Sequence, residues 1–185
     1  NSSTVAKITI DEHNYVLKRY NIKSFWHGIS RAFRPSRAYH SWRNAAVLAM
    51  LGVATARPLL YLEERAFWIL RKRAYFLCEY IEGQDLGTAW EKQELEMNEK
   101  EIAGLFRNLF KVMADYRISH GDMKATNFLI KDNRIFVLDL DAMTRSASKA
   151  KFKERFQKDL KRFQKNWVGT SMEPEVESLL IEAAR

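Results

Sequence analysis

The side chains best suited to chemistry fall in one stretch, His120-Gly-Asp-Met-Lys-Ala-Thr-Asn127, followed by Asp139-Leu-Asp141. Phosphoryl transfer asks a protein mainly to place a hydroxyl nucleophile in line with a phosphate and to neutralise charge, and these residue types supply both needs. Asp122 can accept the proton of the attacking hydroxyl. Asn127 offers a neutral oxygen and Asp139 an anionic one to a magnesium ion, while Lys124 can neutralise the phosphoryl group in transit.

Such residues work only if the chain brings them together. Phe128-Leu-Ile130 and Ile135-Phe-Val-Leu138 flank Lys131-Asp-Asn-Arg134, a hairpin signature that returns Asp139 to face Asn127. Upstream, Ile102, Leu105, Phe106, Leu109, Phe110 and Met113 recur at helical spacing and predict a helix ending near Tyr116. Downstream, Phe152, Phe156, Leu160, Phe163 and Trp167 predict a second amphipathic helix with a strongly basic outer face.

The first part of the chain reads differently. Val5 to Ile10 and Tyr15 to Tyr20 alternate around the turn Asp11-Glu-His-Asn14, which predicts a hairpin with Lys18 in its second strand. Ser36 can cap a helix that runs to about Leu51 and stops at Gly52. Pro58 to Leu62, Phe67 to Leu70 and Ala74 to Ile81 read as further strands, and Gly83 and Gly87 mark a break. The expected class is α+β in two lobes. Residues 1–82 form a small antiparallel sheet with one helix, and residues 83–185 a reduced, mainly helical lobe.

Composition narrows the partners. With 46% apolar and 12% aromatic residues, the 185-residue chain can fill a core. A single cysteine, Cys78, excludes an intrachain disulfide and suits a reducing compartment. The longest nearly uncharged apolar stretch, Ala45 to Ala56, is well short of the roughly 20 residues of a membrane-spanning helix. Asn1-Ser2-Ser3-Thr4 is not the start of a signal peptide, and a fragment lacking its true beginning is expected.

The net charge of +8 concentrates in two blocks. His13 to Leu62 contains no acid, and Arg145 to Lys165 sets nine cations against Glu154 and Asp159. Nucleic acid, anionic lipid or a phosphorylated substrate would each answer such charge. No RNA- or DNA-binding motif accompanies it, so nucleic acid is not expected. Phe25, Trp26, Ile29 and Phe33 alternate with Arg31 and Arg34, and with Arg37 they form a candidate interfacial segment for peripheral contact with an anionic membrane.

The pattern H-x-D-x-K-x-x-N, then D-x-D after a hairpin, resembles the protein-kinase-like superfamily. Val16-Leu-Lys18 is similar to its ATP-phosphate lysine, and Leu77-Cys-Glu-Tyr-Ile-Glu-Gly83 to its hinge, with Cys78 as gatekeeper. The resemblance implies that the backbone of Glu79 and Ile81 meets adenine. Gly121 replaces the arginine of regulated protein kinases, no A-P-E follows Asp141, and Asp141 itself replaces the glycine of D-F-G. Lys18 to Lys23, Pro35 to Ala38, Ser41 to Asn44, Gly52 to Leu59 and Glu79 to Gly83 look like the bacterial lipopolysaccharide kinase family of the Kdo/WaaP/InaA type. That likeness spans nearly the whole chain. It implies an ATP- and Mg2+-dependent kinase of a Kdo or heptose hydroxyl in the lipopolysaccharide inner core, cytoplasmic and peripheral at the inner membrane.

Two departures bear on activity. No glycine precedes Gly28, so the glycine-rich phosphate loop is absent or lies before residue 1. The acid-free stretch also denies Lys18 the usual helix glutamate, and Ser41 is the expected substitute. The alternatives are a degenerate pseudokinase serving as a binding module, or a kinase of another small molecule or of a protein. No feature specifies an oligomeric state.

Overall fold

The computed structural model describes residues 3–21, 35–66 and 70–183. β1 (Ser3–Ile10) and β2 (His13–Tyr20) pair antiparallel with Ile10 opposite His13, so the loop is only Asp11-Glu12. Both loop residues have positive φ, the mirror-image turn that matches strand twist. The strands are longer than the alternation suggests because Ser3, Thr4, His13 and Asn14 join the ladder. β3 (Pro58–Ala66) and β4 (Leu70–Glu79) complete a four-stranded sheet of order β1-β2-β4-β3. Leu70 thus opens β4 instead of closing a separate strand, and β4 ends at Glu79, before Ile81. Phe67 to Ile69 lie outside the described residues, as does the candidate interfacial segment from Phe25 to Arg34.

One helix, α1 (Arg37–Met50), crosses this sheet. Ser36 caps it by accepting the Tyr39 N–H at 3.0 Å, and Gly52, with φ +76°, follows its end. Ala38 packs under the sheet with Tyr20, Ala74, Phe76 and Cys78. Ala45 and Leu48 turn instead to the larger core of the second lobe. The helix therefore belongs to both cores.

The second lobe is mainly helical, with α2 (Leu86–Glu91), α3 (Glu99–Asp115), α4 (Lys149–Gln164) and α5 (Glu173–Ala183). A reciprocal cap between Asn98 and Glu101 starts α3. Two short strands, β5 (Ile118–Ser119) and β8 (Thr144–Arg145), bracket the predicted hairpin of β6 (Phe128–Lys131) and β7 (Arg134–Val137). Asp132 and Asn133 turn that hairpin with positive φ. Phe163 sits at the centre of the core, its ring 4.5 Å from Phe106 and 5.3 Å from Phe110, beside Trp167. No helix among the described residues is long and apolar enough to cross a membrane.

Because Phe163 is fully buried among other rings, Phe163→Ala leaves a cavity that its neighbours cannot refill. The expected loss is about 3–5 kcal/mol of stability, read from chemical denaturation.

Candidate active site

The loop from His120 to Asn127 is held from below. Asp159, on the buried side of α4, accepts the N–H groups of His120 at 2.6 Å and Gly121 at 2.9 Å. His120 is itself buried: its Nε2–H donates to Leu138 O at 2.9 Å, and its Nδ1 accepts the Asp122 N–H at 3.2 Å. These partners assign the neutral tautomer. Burial pushes its pKa below the usual histidine range.

That clamp presents three predicted residues as one group. The Asn127 amide donates to Asp122 O at 2.8 Å, and Lys124 Nζ lies 2.8 Å from Asp122 Oδ2. Arg162 of α4 approaches Asp122 Oδ1 at 3.7 Å. Partial burial pushes the Asp122 carboxyl up, but Lys124, Asn127 and Arg162 outweigh it and hold the group below the ordinary carboxylate range. The carboxylate is ionised at neutral pH and can accept a proton.

Opposite lies a second group. Lys18 reaches from the sheet to Asp139 and stands 3.7 Å from Asp141, whose Oδ2 pairs with Arg37 at 2.7 Å. Asp139 adopts the left-handed conformation, φ +55°, which turns its carboxylate out of the strand line. The turn that carries both acids is held by Asn44, a buried residue of α1 whose Nδ2 donates to Leu140 O at 2.8 Å and Met143 O at 2.9 Å. Ser41 does not partner Lys18 here. Its hydroxyl bonds the Tyr20 hydroxyl at 2.9 Å, because that buried phenol needs a partner and the two acids draw the lysine away. Arg37, placed by the sequence in the candidate interfacial set, engages Asp141 with its guanidinium while its side chain stays nearly half exposed.

Beside the second group a cavity of about 390 Å³ opens, reaching Thr126 of the loop that carries the first. Val16, Ala56, Cys78 and Leu129 give it apolar walls, while Lys18, Ser41 and Asp139 lie along it and Glu79 and Ile81 at its edge. Burial pushes the Cys78 thiol up to about 11, so it lines the wall as a neutral group. The Glu79 N–H is taken by Arg57 O at 3.0 Å, which leaves its carbonyl to offer a ligand. The β1–β2 turn carries Asp11 and Glu12 in place of glycines and is not a phosphate cradle.

A family model described as lipopolysaccharide kinase (Kdo/WaaP) matches residues 2–178. The chain belongs to that family. Its members are kinases, and the chain is a phosphotransferase. Its fold is similar to that of WaaP solved in complex with acyl carrier protein, with TM-score 0.71 and 15% identity over 100% of this chain and 75% of that one. It is also similar to a chain of the yeast RNA polymerase II C-terminal-domain kinase complex CTDK-1, with TM-score 0.52 and 18% identity, covering 79% of this chain and 45% of that one. Both likenesses establish the two-lobed kinase fold. No curated protein matches the sequence.

The kinase also uses residues that the motif does not contain. Asp159 could have been found as the one acid within the apolar arc of a lysine-rich helix, between Phe156 and Phe163. Asn44 and Arg37 carry no comparable local signal, since their partners lie far along the chain.

His120 gives the loop a pH dependence. Its folded-state pKa lies below that of an exposed histidine, so the unfolded chain takes up the proton first as pH falls. The stability gained from the neutral ring is complete above about pH 6.5 and is lost progressively below it. Melting temperatures measured from about pH 7.5 to 5.5 should fall, with a visibly shallower slope in His120→Gln.

Proposed function

We propose that this family member transfers the γ-phosphoryl group of ATP to a sugar hydroxyl, on Kdo or heptose, of the lipopolysaccharide inner core. The observation that carries the reading is an ionised Asp122 clamped with Asn127, whose backbone carbonyl accepts the Leu138 N–H at 2.8 Å and so ties this loop to Asp139 and its partner Lys18 along the cavity. Asp122 accepts the acceptor's proton as general base. Lys124 sits where it can neutralise the moving phosphoryl group, and Lys18 binds the phosphates of ATP. The apolar slot by Val16 and Leu129 receives adenine, with the backbone of Glu79 and Ile81 as its polar edge. In this division residues 1–82 supply the sheet side of the nucleotide slot, and residues 83–185 supply its other wall and the acceptor side.

Asn127 and Asp139 fit a magnesium ion by the chemistry of their donors. Asn127 spends its amide nitrogen on Asp122, leaving its oxygen for a cation, and Asp139 adds a hard anionic oxygen. When bound with nucleotide, the ion neutralises phosphate charge. Ser41 supports the site indirectly, by fixing Tyr20 beneath the rings of charge around Lys18 and Arg37.

The acceptor places the chain peripherally at the cytoplasmic face of the inner membrane, and the charge of +8 supports contact with that anionic surface. One observation favours a non-catalytic reading, a binding module without turnover: Lys18 is paired with the metal-binding acid itself. In the active reading Lys18 would leave Asp139 for the phosphates of ATP, and the freed carboxylate would be available to hold magnesium. Calorimetry should therefore give ATP binding that strengthens with magnesium in the wild type and loses that dependence in Asp139→Ala. ATP binding indifferent to magnesium would support the module.

Asp122→Asn should lower the rate of core-dependent ADP formation by roughly 100-fold or more, with an unchanged melting temperature. A near-normal rate would remove Asp122 from the mechanism.

A further inference from the structure

The outer face of α4 carries Lys151, Arg155, Lys158, Arg162 and Lys165 at helical spacing, one row about 21 Å long. All five are exposed. Among the described residues two acids pair with the row: Glu154 with Lys158 at 2.7 Å on the same helix, and Asp122 of the loop with Arg162 at 3.7 Å. The other long helices of this lobe are different. The exposed residues of α3 mix both signs, and α5 has acids alone. Among these three helices, the surplus of positive charge lies on the one that clamps the loop from His120 to Asn127.

The row also leads somewhere. Arg162 ends on Asp122 at 3.7 Å, and Arg155 donates to Thr144 Oγ1 at 2.7 Å, next to the turn that bears Asp139 and Asp141. Asn166, just past the helix, donates to Met123 O at 2.9 Å and fixes this end to the loop. A hydroxyl presented to Asp122 must bring its neighbouring groups under Arg162.

We infer that this cation row is the acceptor track, binding an oligosaccharide that carries carboxylates or phosphates both beside the reacting hydroxyl and along its next residues. The inference rests on the proposed kinase reading and adds the surface that selects an anionic acceptor. A membrane surface is the poorer occupant. Interfacial helices need an exposed apolar face, and the apolar face of α4, with Phe156, Leu160 and Phe163, is buried in the core.

The test uses K151Q/K158Q/K165Q, three exposed changes that touch neither Asp122 nor the catalytic loop. The probes are deacylated lipopolysaccharide core oligosaccharide, an uncharged maltooligosaccharide, and vesicles with and without anionic lipid. The wild type should bind the core in a salt-sensitive manner and the maltooligosaccharide hardly at all. The triple variant should bind the core about tenfold or more weakly, with a matching rise in KM, kcat within about twofold, and unchanged ATP affinity. Wild-type core affinity in the variant overturns the acceptor track. Loss of vesicle binding with core binding intact also overturns it, and assigns the row to the membrane. The two readings fail separately. Salt-sensitive core binding that needs the row but leads to no phosphate transfer sinks the kinase reading alone. Transfer to the core with unchanged KM in the variant sinks the track alone.

Discussion

The geometry of the site hangs on one buried carboxylate, Asp159, and the two backbone N–H groups it accepts from His120 and Gly121. A buried N–H without a partner costs about 1–3 kcal/mol, so removing this carboxylate would release the loop instead of merely weakening it. Asp159 can hold the loop because α4 is fixed by Phe156, Phe163 and the ring cluster beneath them. The aromatic core thus determines where Asp122 points. Gly121 is part of the same constraint, with φ +88° and with Ala142 O and Cβ 3.0 Å from where its own Cβ would stand. A side chain there would collide with the turn after Asp139. The arginine of regulated protein kinases has no room in this loop.

A second constraint replaces the lysine–glutamate pair of related kinases. Helix α1 has no acid to offer Lys18, and the lysine turns to Asp139 instead. The helix secures the opposite partner: Asn44 holds the backbone of the acidic turn, and Arg37 holds Asp141. With Ala45 and Leu48 buried in the large core, the helix couples the sheet to the second lobe through the turn that bears Asp139 and Asp141. Charge balance around Lys18 is preserved with different residues, and for that reason the absence of a helix glutamate does not by itself mark a dead site.

Much of this was legible in the residues. Period-2 and period-3.6 patterns fall on the observed strands and helices, and Gly52, Gly83 and Asp132-Asn133 fall at turns, because those features depend on neighbours in the chain; Gly87, read as part of the break, lies instead inside α2, which the Asp85 cap starts before it. The cluster of Asp122, Lys124 and Asn127 was legible for the same reason, as it sits on one short loop. Ser41 was misread because its partner depends on which of two hydroxyl groups and two carboxylates lies nearest, a fact set by packing across lobes. The pairing of Arg37 was not legible either: its partner Asp141 lies 104 residues along the chain.

The most direct test of the account is transfer of label from [γ-32P]ATP, with magnesium, to purified lipopolysaccharide core, run beside free Kdo, free heptose and a generic protein acceptor. The account predicts label on the core sugars at a rate far above that on the free sugars or the protein. Label released only as inorganic phosphate, or transferred best to the protein, would contradict it.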